Sequence, residues 1–385
     1  MKAVVLAAGE GMRLRPLTRT RPKPMLPIGN QPLLEHVLEA GREAGIDEFV
    51  FVVGYKRERI QSHFGDGDDW DVDIEYAVQE TQLGTGHALL QAEPYINGSF
   101  IALNGDRIVE PSAISAVMRE RRETGSPVMA VTRHRNPENY GVVELDGQRV
   151  RSIEEKPPAH TVKTDYINAG VYGLGASTFD EIRETDADGE LAITTVLQAY
   201  RDALRPVRFD GLWLDVSYHW DILAVNSRML DRTESSRAET ASIHERATVV
   251  DGAAIAADVR IRPGATVLPG TSLGENVEIG SNAVLSNCVV LADATVDDGA
   301  VVRDCVVGEN ATVGANTTIE GGDTDVVVDG SVHSDVRLGG VVGDNTALGG
   351  NVTVSPGTVI GNDATVESGT IVSDWIENDA IVRRG

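Results

Sequence analysis

Apolar and polar positions change their spacing along this chain, and each change predicts a different kind of structure. Residues 3–8, 48–53 and 100–103 are short continuous apolar runs, the pattern of strands buried on both faces. Residues 31–44 instead place Leu33, Leu34, Val37 and Leu38 on one helical stripe, and 111–122 read as another helix. Residues 73–79 alternate, and 127–132 form a further strand. Strands alternating with helices over roughly the first 220 residues predict an α/β domain.

From residue 140 the pattern changes character. Tyr140-Gly141-Val142-Val143 and residues 151–155 read as strands of a smaller antiparallel sheet, closed by Lys156-Pro157-Pro158. Residues 165–174 carry Ile167-Asn168-Ala169-Gly170-Val171-Tyr172. Helical patterns follow near 177–183 and 191–201, and residues 220–232 read as a helix after the segment 211–216. Residues 233–242 form a polar linker, so the first domain is expected at 1–232.

Past the linker the apolar spacing becomes six. Ile243, Val249, Ile255, Ile261, Val267, Leu273, Ile279 and Leu285 keep strict step. One-residue slips separate Val290, Val296 and Val302, then Val307, Val313 and Ile319. Residues 320–340 break the pattern, and it resumes at Val342, Leu348, Val354, Ile360, Val366 and Val372. Glycine often follows the apolar position, as at Gly274, Gly280, Gly308 and Gly343. This is the hexapeptide repeat of a β-helix over 243–385: three hexads make one triangular coil, one residue per hexad points inward, one coil cannot bury its core alone, and the run supports a stack of about seven coils. Aromatic content of 5% suits so narrow a core. The only cysteines, Cys288 and Cys305, each stand three past an inward residue and should stack on neighbouring coils as a reduced packing pair.

Charge changes the picture next. The chain has 59 acidic and 34 basic residues, net charge −25. Only Lys2, Lys23, Lys56, Lys156 and Lys163 are lysines. A Lys-poor acidic surface of this kind resembles proteins of extreme halophiles, and it disfavours nucleic acid as a partner. The opening lacks signal-peptide features and no apolar stretch is long enough to span a bilayer, so a soluble cytoplasmic protein with no membrane partner is expected. The remaining cations should matter where an anion binds. Gly9, Glu10 and Gly11 follow the first strand at once, then come Arg13, Arg15 and Lys23. Backbone N–H groups at a glycine turn, beside fixed cations, suit a polyphosphate. Asp106 follows a buried strand and a glycine, and Asp215 follows Trp213-Leu214; together they could hold one Mg2+.

G-x-G-x-R-L-x-P with the following R-P-K-P, at residues 9–24, resembles the signature of sugar-1-phosphate nucleotidylyltransferases. The other motifs arrive in that family's order: Gln79 with L-G-T-G-H-A at 83–88, Gly105-Asp106, Tyr140-Gly141, Glu154-Glu155-Lys156-Pro157, Asn168-Ala169-Gly170 and Trp213-Leu214-Asp215. The β-helix matches the group with bifunctional N-acetylglucosamine-1-phosphate uridylyltransferase/glucosamine-1-phosphate acetyltransferases and long-form glucose-1-phosphate nucleotidylyltransferases. The resemblance implies a Rossmann-like nucleotidyltransferase domain followed by a left-handed parallel β-helix. It implies Arg13 and Lys23 as catalytic cations, with Mg2+ on Asp106 and Asp215 and Asn226 as a weaker metal candidate. Leu6, Ala8, Gly9, Gly11, Gln79, Gly84 and Thr85 would hold the nucleotide, and Gly141, Glu155, Lys156 and Asn168 the sugar phosphate. His87 is expected to be structural.

The wording Q…L-G-T-G-H-A leans toward UTP, with dTTP the second candidate, and the sugar phosphate would be N-acetylglucosamine-1-phosphate or glucose-1-phosphate. Acetyltransferase relatives carry a His, a Tyr and lysines on the β-helix; this one has no lysine there and only His244 and His333. Two alternatives therefore stand beside the transferase with a scaffold β-helix. One is a bifunctional enzyme that also uses acetyl-CoA, with His333 in the broken repeat as its candidate. The other is a non-catalytic regulatory relative. β-Helices of this type trimerise or pack on a catalytic domain, so a homo-oligomer, trimer or higher, is expected.

Overall fold

The first apolar run forms the strand Ala3–Ala7 at the middle of a nine-stranded mixed sheet. The computed structural model describes residues 1–185, 189–200, 203–232 and 236–384. Arg201 of the expected helix 191–201, residues 233–235 of the expected linker, and Gly385 lie outside the described residues. Along the sheet the strands are Arg149–Glu155, Gly141–Asp146, Tyr166–Leu174, Phe100–Asn104, Ala3–Ala7, Glu48–Val53 and Asp73–Val78. Ala3–Ala7 pairs in parallel with both neighbours. Its side chains alternate between two cores. Ala3, Val5 and Ala7 pack with Leu34, Val37 and Val117 of the helices Leu33–Glu43 and Pro111–Thr124. Val4 and Leu6 pack with Leu89, Phe179 and Val196 from helices on the other face. Burial on both faces explains why this strand reads as unbroken apolar sequence.

The chain divides into two compact units. The first holds Met1–Glu10, Pro22–Met25 and Leu33–Asp215; the second holds Gly11–Arg21, Leu26–Pro32 and the chain from Val216 onward. The segment expected as one domain, 1–232, is thus shared between them. The helix His219–Leu230 packs on the strands Val284–Val290 and Val301–Val307 of the repeat. Arg21, buried, pairs with Glu309 at 2.7 Å and Asp344 at 3.0 Å. A buried guanidinium must be paired, and its carboxylates lie in the repeat.

The second unit is the left-handed hexapeptide β-helix. One face stacks eight short parallel strands, from Ser242–Ile243 to Ile381–Val382. That makes seven full coils and the start of an eighth, against the seven expected. All the expected inward residues from Ile255 to Val372 are buried in one core, with Ile243 and Val249 partly buried at its end. Cys288 and Cys305 face each other in register on adjacent coils, as free buried thiols. Burial pushes the Cys288 thiol up to about 12. The break in the repeat is an antiparallel hairpin, Asp323–Val328 with Ser331–Arg337.

Candidate active site

A cavity of about 530 Å³ lies at the carboxyl ends of Ala3–Ala7 and Phe100–Asn104. The carboxyl ends of the strands are the usual place for a ligand crevice in an open α/β sheet. Leu6, Ala8 and Gly9 form one wall. Gly9 is exposed, and a Cβ built on it would meet no atom within 4 Å. Neither crowding nor a positive φ requires glycine here, so the protein itself does not need the missing side chain.

The next wall is the turn at residues 83–86. Gln79 is buried and donates from Nε2 to the Gly84 carbonyl at 3.2 Å, with His87 Nδ1 at 3.0 Å from the same nitrogen. His87 thus bonds Gln79. Gly84 has φ +94, and a Cβ there would come within 2.4 Å of the Leu191 carbonyl. Residues 190–194 run across this turn. Leu191 N–H donates to Leu83 O at 2.8 Å, Gly86 N–H to Leu191 O at 2.7 Å, and Ile193 N–H to Thr85 Oγ1 at 2.9 Å. Glu190, Ala192 and Thr194 line the cavity, and no sequence motif had marked them. Gln82, also missed, donates to the Ala8 carbonyl at 3.0 Å.

Lys23 and Asp106 face each other in the cavity, Nζ to Oδ2 at 2.5 Å. Burial pulls the Lys23 ammonium down, but Asp106 and Asp215 outweigh it and hold its pKa above the ordinary value. Burial pushes the Asp106 carboxyl up, and Lys23 and Arg107 bring it below the usual range. Trp213–Asp215 pairs antiparallel with Arg107–Val109, which sets Asp215 opposite Arg107, with Nε 3.7 Å from Oδ1. Arg107 was not anticipated: it directly follows Gly105-Asp106, and a neighbouring arginine in sequence says nothing about a partner 108 positions away. Two carboxylates that share the field of one ammonium offer hard oxygen donors. Mg2+ binds through one or two such groups plus phosphate oxygens and water, so the pair fits it. Among the described residues no cluster of three or more His, Cys, Asp or Glu forms a metal cage.

Glu155, Lys156, Asn168 and Tyr172 complete the lining. Gly141 sits behind Glu155; a Cβ there would meet Glu155 Oε1 at 2.9 Å. Asn168 donates to the Tyr172 hydroxyl at 2.7 Å and accepts from Gly170 N–H at 3.0 Å. Burial raises the Tyr172 pKa to about 12, so it stays a neutral hydroxyl.

The other expected residues fall in the second unit. Gly11 takes the left-handed conformation, φ +69. Arg13 pairs with Asp329 of the hairpin at 2.7 Å and lies over the Tyr218 ring. His333 packs against Tyr218 and Trp220, ring centroids 4.6 and 5.2 Å away. Asn226 is fully buried: Oδ1 accepts from Gly29 N–H at 2.8 Å and Ser272 Oγ at 3.0 Å, and Nδ2 donates to Gly270 O at 2.9 Å. Structure uses up this amide, so the metal role considered for Asn226 is not carried forward.

Comparisons with known proteins agree with this arrangement. The nucleotidyl transferase family model matches residues 2–232. The GMPPB C-terminal domain matches 249–338, and the hexapeptide repeat of succinyl-transferase matches 341–374. Bifunctional protein GlmU of Methanococcus maripaludis is 38% identical over 60% of this chain and 55% of its own length. The chain thus spans about half the length of the curated relatives it first matches. Low-salt glycan biosynthesis nucleotidyltransferase Agl11 of Haloferax volcanii is 34% identical over 65% of this chain and 71% of its own. A solved structure from Bacillus anthracis, named as a glucose-1-phosphate thymidylyltransferase, superimposes with a TM-score of 0.56 at 27% identity, covering 59% of this chain and 94% of that one.

Proposed function

Because this chain belongs to the nucleotidyl transferase family, we propose that it transfers a nucleotidyl group from a nucleoside triphosphate to a sugar-1-phosphate. UTP is the favoured donor and dTTP the second, with N-acetylglucosamine-1-phosphate or glucose-1-phosphate as acceptor. The observation that carries this reading is the paired Lys23 and Asp106 beside an open glycine turn in one cavity.

A phosphate oxygen of the sugar-1-phosphate attacks the α-phosphorus, the bond from that phosphorus to the β-phosphate oxygen breaks, and its electron pair leaves with pyrophosphate. Two polyanions must meet in line, so catalysis is positioning and charge neutralisation. The backbone at Gly9 cradles the triphosphate, where a side chain would intrude. Lys23 neutralises the α-phosphate or sugar phosphate. Gln79 and the Gly84-Thr85 turn read the base edge; Gly141, Glu155, Lys156 and Asn168 hold the sugar phosphate. Asp106 and Asp215 would hold Mg2+, which when bound supplies further positive charge to the phosphate oxygens.

Pyrophosphate release with Mg2+ in high KCl tests the reading. Lys23→Met should lower kcat/KM by roughly 100-fold, the scale of losing one preorganised charge contact. Release that does not depend on the sugar phosphate would instead indicate hydrolysis and contradict it. We assign the β-helix a scaffold role, because His333 is packed against the Tyr218 and Trp220 rings and the repeat has no lysine. Acetyl transfer from acetyl-CoA to glucosamine-1-phosphate that is lost in His333→Ala would overturn that role.

A further inference from the structure

The two carboxylates of the cavity each face a cation, and the two cations are held differently. Lys23 reaches Asp106 on a flexible stem, Nζ to Oδ2 at 2.5 Å. Arg107 faces Asp215, and its side chain is tied from three sides. Nη1 donates to the Asn168 carbonyl at 3.1 Å. The guanidinium carbon stands 5.5 Å from the centre of the Trp213 ring, and Trp213 Nε1 in turn donates to the Ala169 carbonyl at 3.0 Å. Gly170 leaves room for the stem, since a Cβ there would lie 3.2 Å from Arg107 Cδ.

The cause lies in the strand Tyr166–Leu174. Its register against Val128–Arg133 shifts between Asn168 and Tyr172. The carbonyls of Asn168 and Ala169 fall at that shift, and the side chains of Arg107 and Trp213 take them. Arg107 is thereby fixed with Nε 3.7 Å from Asp215 Oδ1, and that buried nitrogen has no hydrogen-bond partner. At this distance the contact is one of charge and not a hydrogen bond. The Asp215 side chain is 5% exposed, so water screens the two charges little. A fixed positive charge beside a carboxylate favours its ionised form and opposes a further cation on the same oxygens.

We propose that Arg107 is a positioning residue that fixes Asp215 in the cavity and, by its charge, holds down the affinity of the Asp106–Asp215 pair for a divalent cation. Divalent binding then depends on the negative charge that substrate phosphates bring. The inference rests on the nucleotidyl-transfer reading, in which these carboxylates hold Mg2+. The test is a titration of the full chain with Mn2+ as the probe, followed by electron paramagnetic resonance, in high KCl and without substrates. Arg107→Gln keeps an N–H for the Asn168 carbonyl and removes the charge. It should bind Mn2+ roughly 10-fold more tightly than the wild type, the scale on which groups behind metal ligands act. Arg107→Lys keeps the charge and should bind as the wild type does. Adding Asp215→Asn to the glutamine variant should erase the gain. A merely structural role would weaken binding in every variant. Arg107→Met serves if the glutamine variant misfolds. Unchanged or weaker Mn2+ binding in the soluble uncharged variant overturns the assignment. No Mn2+ binding by either the wild type or that variant overturns the metal pair as well. Pyrophosphate release separates the failures: an active wild type with unmoved Mn2+ affinity in the variant sinks only the role of Arg107, and a wild type inactive with every pair sinks the transfer reading.

Discussion

Lys23 and Asp106 set each other's charge. Asp106 is held below the ordinary carboxylate range, so its contribution is present above the unfolded pKa and is lost as pH falls through the lowered value. Lys23 is held above its ordinary value, so its contribution persists below the unfolded pKa and is lost only as base rises through the raised one. The pair therefore stays charged through neutrality, and kcat should form a plateau from roughly pH 6 to 9 as far as this pair decides it. Asp106→Asn should lower kcat on the order of 100-fold, far more than it changes the melting temperature; an equal loss of folding would argue against a metal role. Gly9→Ala should fold like the wild type, since its Cβ meets no protein atom, yet lose activity as that methyl enters the cavity. His219 gives a stability test. Burial pushes its pKa down to about 4, against the carbonyls of Leu14 and Arg15. Its neutral form contributes fully above the unfolded value of 6.5, and that contribution falls away as pH drops toward 4. About 3 kcal/mol should be lost over that window, readable as a fall in urea midpoint that His219→Gln flattens. At this scale the sequence displayed Lys23, Asp106 and Gln79, because they stand in compact motifs. It hid Arg107 and the 190–194 strap, because what matters there is the partner, and each partner is distant in the chain.

At the scale of elements, the six-residue period told which side chains form the β-helix core, and it held through both slips. It did not reveal how the chain turns each corner. Three positions before the inward residues stand left-handed residues such as Asn276, Asn282, Asp293 and Asn310, with φ between 57 and 59. Asn and Asp tolerate this conformation because their short side chains bond locally. A reading of apolar positions alone passes over them. The glycines after the inward residues have another cause: a Cβ on Gly280 would lie 2.4 Å from Asp298 N on the next coil. Gly280→Ala should therefore destabilise the unit by about 1–3 kcal/mol, the usual range for overpacking, measurable by denaturant unfolding. The hairpin that interrupts the repeat was legible only as a break. Its first strand alternates exposed and half-buried positions and its second is mostly exposed, a weak pattern when neither face joins a deep core.

Across the whole molecule, a net charge of −25 gives self-repulsion that salt must screen. The acidic, lysine-poor surface should make the melting temperature rise between roughly 0.1 M and 3 M KCl, as the Debye length shrinks to a few ångströms. A melting temperature that falls over that range would contradict a surface adapted to salt. The linear order of domains was legible, but the compact units were not. Residues 11–21 pack with the repeat because Arg21 finds its carboxylates there, a long-range ion pair that no local pattern carries. The order of motifs along 1–232 still points to the family whose model matches 2–232; the proposed transfer would need its cations, glycine turn and carboxylates in one crevice. The most direct test is a matrix of the four nucleoside triphosphates against several sugar-1-phosphates, with Mg2+ in high KCl, read as pyrophosphate and nucleotide-sugar formed together. The account predicts equimolar formation of both products, greatest with UTP or dTTP and abolished without the sugar phosphate. No pyrophosphate from any pair, or pyrophosphate without nucleotide sugar, would contradict it.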